Sequence, residues 1–350
     1  MKETAAVTIR DIAAHLGISH TTVSRALAGH PKINSLTKAR VRAAADAMGY
    51  VANASARTIR NSRSLLVGLV IPDIQNDFYA SVAKRVADML AAKGYQLALS
   101  VTEDDPEREM RDVRAMLEAR AAGVIVTLTS APRKETLAML RQVRTVQLVR
   151  RQAELETDAV TIDDQSGTHA ATHHLVQYGH QSIAYIGTTT AMSSGRARLE
   201  GFTQAMTQAG LDAGTHWLGP PRPEFARQAI SLMLRMKQRP TGLVLGSSEL
   251  TLGALQGLQA GGISYPQQIS LVGYGDPPWF SLVGGGITTV SLPVADVAAT
   301  TTGLVLGDLH EADAGTGQEA QTTVSALSIR PSLVLRGSTQ LHQVPKKPRA

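Results

Sequence analysis

Several groups of side chains in this sequence have the types and spacing to do chemistry. In HLGISHTTVSRALAG, His15 to Gly29, a helix over 19 to 27 would put His20, Thr21, Ser24 and Arg25 on one side and Val23, Ala26 and Leu27 on the other, since residues three or four apart share a helix face. The first face offers hydrogen-bond donors and small contact groups, equipment for reading a surface rather than filling a core. Asp163 and Asp164 are adjacent carboxylates, a pairing used in acid–base and glycosidic chemistry. Neighbours on a strand point to opposite faces, however, and a hydrogen-bonding place at a cleft edge suits them better. His169 and His173 stand four apart on a helix, but no third ligand accompanies them at a recognisable metal spacing, so a solvated face is the simpler reading. Glu103, Asp104 and Asp105 precede a helix, where negative charge suits the dipole. No catalytic residue, metal or cofactor is assigned, and the chain does not read as an enzyme.

The elements that must carry the first group can be read around it. Thr8 caps a helix beginning at Ile9, with Asp11 in its first turn and Ile12, Ala13 and Leu16 as its inner stripe. Gly17 ends it, Ile18 tucks into the turn, and Ser19 caps a second helix whose positive N-terminus points outward. A third helix, capped by Asn34 or Ser35, buries Val41, Ala44, Ala45 and Met48 and stops at Gly49. Helix, tight turn and helix are the elements of a nucleic-acid reader; a three-helix protein-docking module is the bland alternative.

Charge separates the two. Residues 1 to 64 hold 10 Lys and Arg against 3 Asp and Glu, whereas residues 65 to 344 hold 22 against 26; Lys346, Lys347 and Arg349 complete the net charge of +6. A basic head on a mildly acidic body predicts that the head meets a polyanion. Short polar side chains at a helix N-terminus reach base edges in a major groove, and an arginine one turn later can grip guanine O6 and N7. The 350 residues, 43% hydrophobic, exceed one ordinary domain. Cysteine is absent, which removes disulfides and thiolate metal sites. The start MKETAAVTIRD lacks a signal-peptide core, and a cytoplasmic location is expected.

From residue 65, short apolar runs alternate with amphipathic helices: LLVGLVIP (65–72), YQLALSV (95–101), GVIVTL (123–128), TVQLV (145–149), AVTID (159–163), SIAYIG (182–187), GLVLG (242–246) and ISLVGYGD (269–276). This spacing predicts parallel sheets covered by helices. The strands are too many for one sheet. Two doubly wound α/β subdomains facing across a cleft, with ligand groups at the strands' C-terminal ends, fit the pattern. Residues 50 to 64, YVANASARTIRNSRS, read as a linker.

In sum the chain resembles the LacI/GalR family of bacterial transcriptional repressors, from about Thr8 to Thr339. The resemblance is carried by TIRDIAAHLGISHTTVSRAL, NASARTIR, GLVIPDIQNDFYASV, DDPEREMRDVRAMLEARAAGVIV, HHLVQYGHQSIAYIG, RLEGFTQAMTQAGL, SLVGYGD and LVLRGST, in the family's order. It implies an all-α helix-turn-helix head (1–50), a hinge helix (51–64), and a periplasmic-binding-protein-like body (65–340) for effector binding and dimerisation. The body would divide into an N-subdomain of about 65–163 and 294–326 and a C-subdomain of about 164–293 and 327–340, with a disordered tail at 341–350. The implied partners are a pseudo-palindromic double-stranded DNA operator, a second copy of the chain and a sugar or sugar-acid effector, with gluconate-type acids suggested by GYGD.

Carried over position by position, His20, Thr21, Ser24 and Arg25 would touch bases, and Thr8, Ser19, Thr22, Asn34 and Thr37 would lie near phosphates, which set position rather than sequence. Asn53, Ala56 and Ile59 would serve the hinge, a segment too short to be a stable helix alone. Ile59 stands where the family usually wedges a leucine between base pairs. Ala52 and Ala28 replace a common proline and asparagine. For the effector the resemblance nominates Phe78, Thr127, Arg198, Ser247, Ser248 and Asp276. Gly275 stands where an aspartate is frequent, and Ser247–Ser248 where Asn-Asp is usual, which implies a different effector from that of the best-known members. Trp279 and Phe280 offer an aromatic wall or a cover for the dimer face. Two alternatives remain: a sugar-binding receptor without a regulatory role, and a regulator that needs a purine-type corepressor.

Overall fold

A computed structural model of the chain describes residues 7–50, 64–313 and 324–342, with the side chains of 308–313 excepted. They divide between one unit ending at Ser64 and another beginning at Leu65.

The first unit is three helices, α1 (Ile9–Leu16), α2 (His20–Leu27) and α3 (Ser35–Ala47). Each begins where a side chain replaces the missing acceptor for its first free N–H groups. Thr8 and Asp11 cap reciprocally, the Thr8 backbone N–H donating to Asp11 Oδ2 at 2.7 Å. Ser19 Oγ accepts the Thr22 N–H at 3.1 Å, and Asn34 Oδ1 the Thr37 N–H at 2.7 Å. Asn34 rather than Ser35 is the third cap. Gly17 turns the chain with φ +66°, a left-handed conformation that a Cβ would strain. Ile12, Ala13, Val23, Ala26, Val41, Ala44 and Ala45 form the small core, and Met48 packs against its edge.

The second unit holds two sheets of six strands. The N-lobe contains β1 (Leu66–Ile71), α4 (Asp77–Ala91), β2 (Gln96–Val101), α5 (Pro106–Glu118), β3 (Gly123–Val126), α6 (Lys134–Leu140), β4 (Arg144–Val149) and β5 (Asp158–Ile162). The chain then crosses to the C-lobe: α7 (Asp164–Gln177), β6 (Ile183–Thr188), α8 (Ser193–Gln208), β7 (His216–Gly219), α9 (Pro223–Leu234), β8 (Gly242–Leu245), α10 (Ser248–Ala260), β9 (Ser270–Tyr274) and β10 (Thr289–Ser291). It returns with α11 (Val294–Asp313) and β11 (Ala326–Ile329) and crosses again to β12 (Ser332–Val334). Because β11 pairs with β5, residues 327–329 lie in the N-lobe sheet, so the last crossing falls beyond the 326/327 division read from the sequence.

Strand order is β11-β5-β4-β3-β1-β2 in the N-lobe and β12-β10-β9-β8-β6-β7 in the C-lobe. All pairings are parallel except β10 with β12. The apolar runs of β1, β3, β6 and β8 are buried on both faces, as helices on each side require. One face of the N-lobe sheet packs on α4 and α11, through Val82, Val86, Leu90, Val297 and Val305; the other packs on α5 and α6, through Val113, Met116, Leu137 and Leu140. In each sheet the order reverses next to the first strand, between β1 and β3 and between β6 and β8. Chains leaving strands at such a switch point diverge and open a crevice. All eight apolar runs read from the sequence are strands. The strands not read there, β7, β10, β11 and β12, have three or four residues each.

Candidate functional site

The head presents one polar face. Val23 and Ala26 are fully buried, and the same helix turns His20, Thr21 and Arg25 to solvent with Ser24 half-buried between them. The first turn of α2 carries no acidic residue and its last turn carries Arg25, so the exposed face is uniformly suited to an anionic partner. Thr8, Ser19 and Asn34 spend a side-chain oxygen on their caps, and Thr22 Oγ1 lies 2.8 Å from Ser19 Oγ. Their first duty is to fix the helices that present the reading face. Thr37 is half-buried, and Leu36 beside it is 73% exposed, an apolar group the sequence reading passed over. Asn53, Ala56 and Ile59 lie outside the described residues, as do the hinge they belong to and the tail from 343.

Between the two lobes lies a cavity of about 950 Å³, at the upper end of the range for small-molecule sites. The β1 switch point contributes Asp73, Asn76 and Phe78, and the β6–β8 switch point contributes Thr188, Ser247 and Ser248. Arg198 and Ser194 reach it from α8. Phe78, Arg198, Ser247 and Ser248, nominated from the sequence, therefore share one chamber. Thr127 and Asp276 are not among its lining residues. Thr127 is fully buried behind the wall. Asp276 is turned to Arg336, which donates to both carboxylate oxygens at 2.8 and 3.0 Å. Phe280 is fully buried in the C-lobe core with Trp279 packed edge-on against it at 4.5 Å, so neither forms the aromatic wall.

Arg198 is held from three sides. Its Nε donates to Asp164 Oδ1 at 2.8 Å, one terminal nitrogen donates to the Gly246 carbonyl at 2.7 Å, and its plane lies 4.1 Å over the Tyr274 ring. The Tyr274 hydroxyl donates to the same Asp164 oxygen. Gly201 lets α8 approach α7 closely enough to bring the two ions together, since a Cβ there would stand 2.2 Å from the Gln165 carbonyl oxygen. Burial alone would push the guanidinium pKa down, but Asp164 beside it more than reverses that, so the net shift is up. Burial, with Asp164 adding to it, raises Tyr274 well above the ordinary phenol, which keeps the hydroxyl a donor. Asp163 and Asp164 are not strand residues: Asp163 caps α7 and Asp164 is its first residue.

The N-lobe wall carries a second pair. Arg150 donates to Asp104 Oδ1 at 2.5 Å and to the Leu128 carbonyl at 2.9 Å, and Ser130 donates to the other Asp104 oxygen. Glu103, Asp104 and Val149 have φ of +53°, +60° and +64°, and all three line the cavity. A β-branched residue in this region is rare and costs roughly 1–3 kcal/mol. Behind them Glu109, fully buried, accepts the Thr129 N–H at 2.5 Å while its other oxygen has no partner. Burial outweighs that hydrogen bond and pushes its carboxyl up to about 7. Only Asp105 of the acidic loop serves as a helix cap; Asp104 is a cavity residue. Elsewhere His169 bonds Gln208 and stacks on His173. No cluster of metal-ligating side chains occurs among the described residues.

Comparison with known proteins joins the two units. The sequence model for bacterial regulatory proteins of the lacI family matches residues 8–53, and that for periplasmic binding protein-like domains matches 172–339. The HTH-type transcriptional regulator RegA of Clostridium saccharobutylicum is 30% identical over 299 residues, 84% of this chain and 90% of its own length. The chain belongs to the lacI family of regulators. As a lacI-family protein it is a DNA-binding transcriptional regulator with the helix-turn-helix head and two-sheet body described above. HTH-type transcriptional regulator GalR of Escherichia coli is 27% identical over 302 residues, covering 85% of this chain and 88% of GalR. In fold, the lacI-family chain matches a Lac repressor dimer solved with operator and the anti-inducer ONPF: TM-score 0.82 at 22% identity, covering 96% of this chain and 99% of that one. No described helix is long and apolar enough to cross a membrane.

Proposed function

We propose that this regulator is a homodimeric repressor whose affinity for a pseudo-palindromic operator is set by a small polyhydroxylated effector in the cleft. The observation that carries this reading is the immobilised Arg198. Of its five N–H donors, two are spent on Asp164 and Gly246, so the rest of a planar fork is left for hydroxyls. Ser194, Ser247 and Ser248 add short hydroxyls and Phe78 an apolar face, a mixture suited to a sugar's alternating C–H and O–H surface. Of the sugar and the sugar acid, the neutral form suits better, because the Arg198 charge is already matched by Asp164.

On the DNA side, His20, Thr21, Ser24 and Arg25 read bases, and Thr8, Ser19, Thr22, Asn34 and Thr37 set the head on phosphates. Asn53, Ala56 and Ile59 complete the contact through the hinge. A reader of chromosomal DNA acts in the cytoplasm. A ligand that prefers one arrangement of the lobes shifts DNA affinity by its differential affinity, and DNA shifts the ligand by the same factor.

The test uses the full chain. A duplex selected from random sequence supplies the operator, and a melting-temperature screen with sugars, sugar acids and nucleobases supplies the effector. A polyol that both stabilises the protein and changes operator affinity is the expected result, whereas a response confined to nucleobases would replace this reading with the corepressor one. Arg25→Ala should lose about 1–3 kcal/mol of discrimination between that operator and random DNA at fixed salt, with non-specific affinity nearly kept. Unchanged discrimination would remove Arg25 from the base contacts.

A further inference from the structure

The charges lining the cleft do not cancel, and the excess has a definite place. Three arginines line it, and two have their own carboxylate. Arg198 is paired with Asp164 and Arg150 with Asp104; Arg222 makes no ion pair among the described residues, because Glu224 near it is held by Arg227 at 3.0 Å. Glu103 is matched by Arg108 at 2.9 Å. That leaves Asp73 and Glu249, which line the cavity with no cation bound to either. Asp73 follows β1 in the N-lobe, and Glu249 lies in the first turn of α10 in the C-lobe, so the two belong to opposite jaws. Burial, then the negative charges of Asp73, Asp77 and Glu224, raise the Glu249 carboxyl above its ordinary range. Next to Glu249, Ser248 is 8% exposed and lines the cavity, and its hydroxyl makes no hydrogen bond within the protein.

Resting on the reading of this cleft as an effector site, we infer that the effector is an amine-bearing polyol whose ammonium group is taken between Asp73, Glu249 and the Ser248 hydroxyl. An ammonium has three N–H donors and no acceptor; the Glu249 carboxylate and the Ser248 hydroxyl make no hydrogen bond among the described residues, and Asp73 keeps its Oδ2 beyond the Oδ1 that accepts the Gln75 N–H at 2.8 Å. It would replace a like-charge contact between the lobes by two attractive ones, which ties ligand binding to lobe closure. A bare divalent ion is the poorer occupant, because two carboxylates supply too few oxygens for a calcium cage.

Matched triplets on one carbon skeleton test this on the full-length protein: D-glucamine, D-glucitol and D-gluconate; D-glucosamine, D-glucose and D-glucuronate; and the galactose set. Melting-temperature shifts and calorimetry should show the amine member binding about tenfold more tightly than its neutral partner in the triplet that fits, with the acid weakest. Glu249→Gln and Asp73→Asn should each remove most of that preference, the amine member losing more affinity than the neutral one. Tighter binding of a neutral or acid member overturns the ammonium site and leaves the cleft's effector role standing. Silence from every triplet overturns that role for polyols and the ammonium site with it. Stabilisation by magnesium or calcium chloride that Glu249→Gln abolishes, with no preference for amines, would assign the carboxylates to a metal instead. A ligand-free arm keeps the geometry in question: Glu249→Lys should raise the melting temperature above that of Glu249→Gln, and the gain should shrink when Asp73→Asn is added, Asp77 and Glu224 supplying the remainder. A gain that Asp73→Asn leaves unchanged would show that Asp73 and Glu249 do not face each other.

Discussion

The cleft's two lobes each hold an arginine by an aspartate, yet the two pairs are built differently. In the C-lobe, Asp164 is 2% exposed, and Asp164 and Arg198 are both set by regular helices. In the N-lobe, Asp104 is 27% exposed and itself left-handed, and Arg150 follows the left-handed Val149. The first pair is fixed by packing, and its carboxylate has no water to fall back on. The second is held by loops that store strain, and water can reach its carboxylate. The C-lobe thus offers a rigid anchor, and the N-lobe a wall whose shape can change when a ligand arrives.

The largest effect is expected where desolvation is most complete. Asp164→Ala leaves Arg198 buried without its counter-ion and the Tyr274 hydroxyl without its acceptor. Breaking such a pair costs about 3–5 kcal/mol, which should appear as a large drop in the urea midpoint of the body. Asp164→Leu with Arg198→Met, which removes both charges, should recover much of that stability while abolishing effector binding. Recovery of binding as well would show that Arg198 is scaffolding and not a ligand anchor.

Next comes Glu109, behind the N-lobe wall. Its folded pKa of about 7 lies above the ordinary glutamate value of 4.5, so the folded state binds the extra proton. Between those two values stability must fall as pH rises, by a few kcal/mol at most, and be flat above. Glu109→Gln should therefore be more stable than the parent at pH 8 and nearly equal to it at pH 4.5, read from denaturant midpoints across that window. A parent profile that rises from pH 5 to 7 would place the proton on another group.

These pairs also mark what the sequence could and could not disclose. The head was legible because its signals are local: Thr8, Ser19 and Asn34 each cap a group three residues on. Seven of the eight apolar strands were legible because central strands are buried on both faces, and the eighth, the edge strand β2, because it runs for six mostly apolar residues. The strands β7, β10, β11 and β12 were not, since three or four residues are too short to make a distinct apolar run. The cleft's ion pairs join residues 34 and 46 apart, a distance at which spacing carries no signal. Asp276 shows the same limit. A carboxylate after a buried strand needs a partner, and the fold supplies Arg336, 60 residues on, rather than a ligand.

The smallest effect, and the sharpest test of the contrast, is Asp104→Asn. Asparagine tolerates the left-handed backbone as well as aspartate does, and its carbonyl can still accept from Ser130, so the substitution removes charge and little else. With one partner more than a quarter exposed, water and salt screen most of the interaction, and the cost should stay within about 1 kcal/mol. The consequence moves instead to the cleft. Arg150 keeps its bond to the Leu128 carbonyl but loses its counter-ion, so the N-lobe wall gains a net positive charge. Acid members of the matched triplets should then gain several-fold in affinity relative to amine members, by calorimetry at low salt. A stability loss as large as that of Asp164→Ala would mean that the two pairs are equally buried in solution, and the distinction between anchor and adaptable wall would fall.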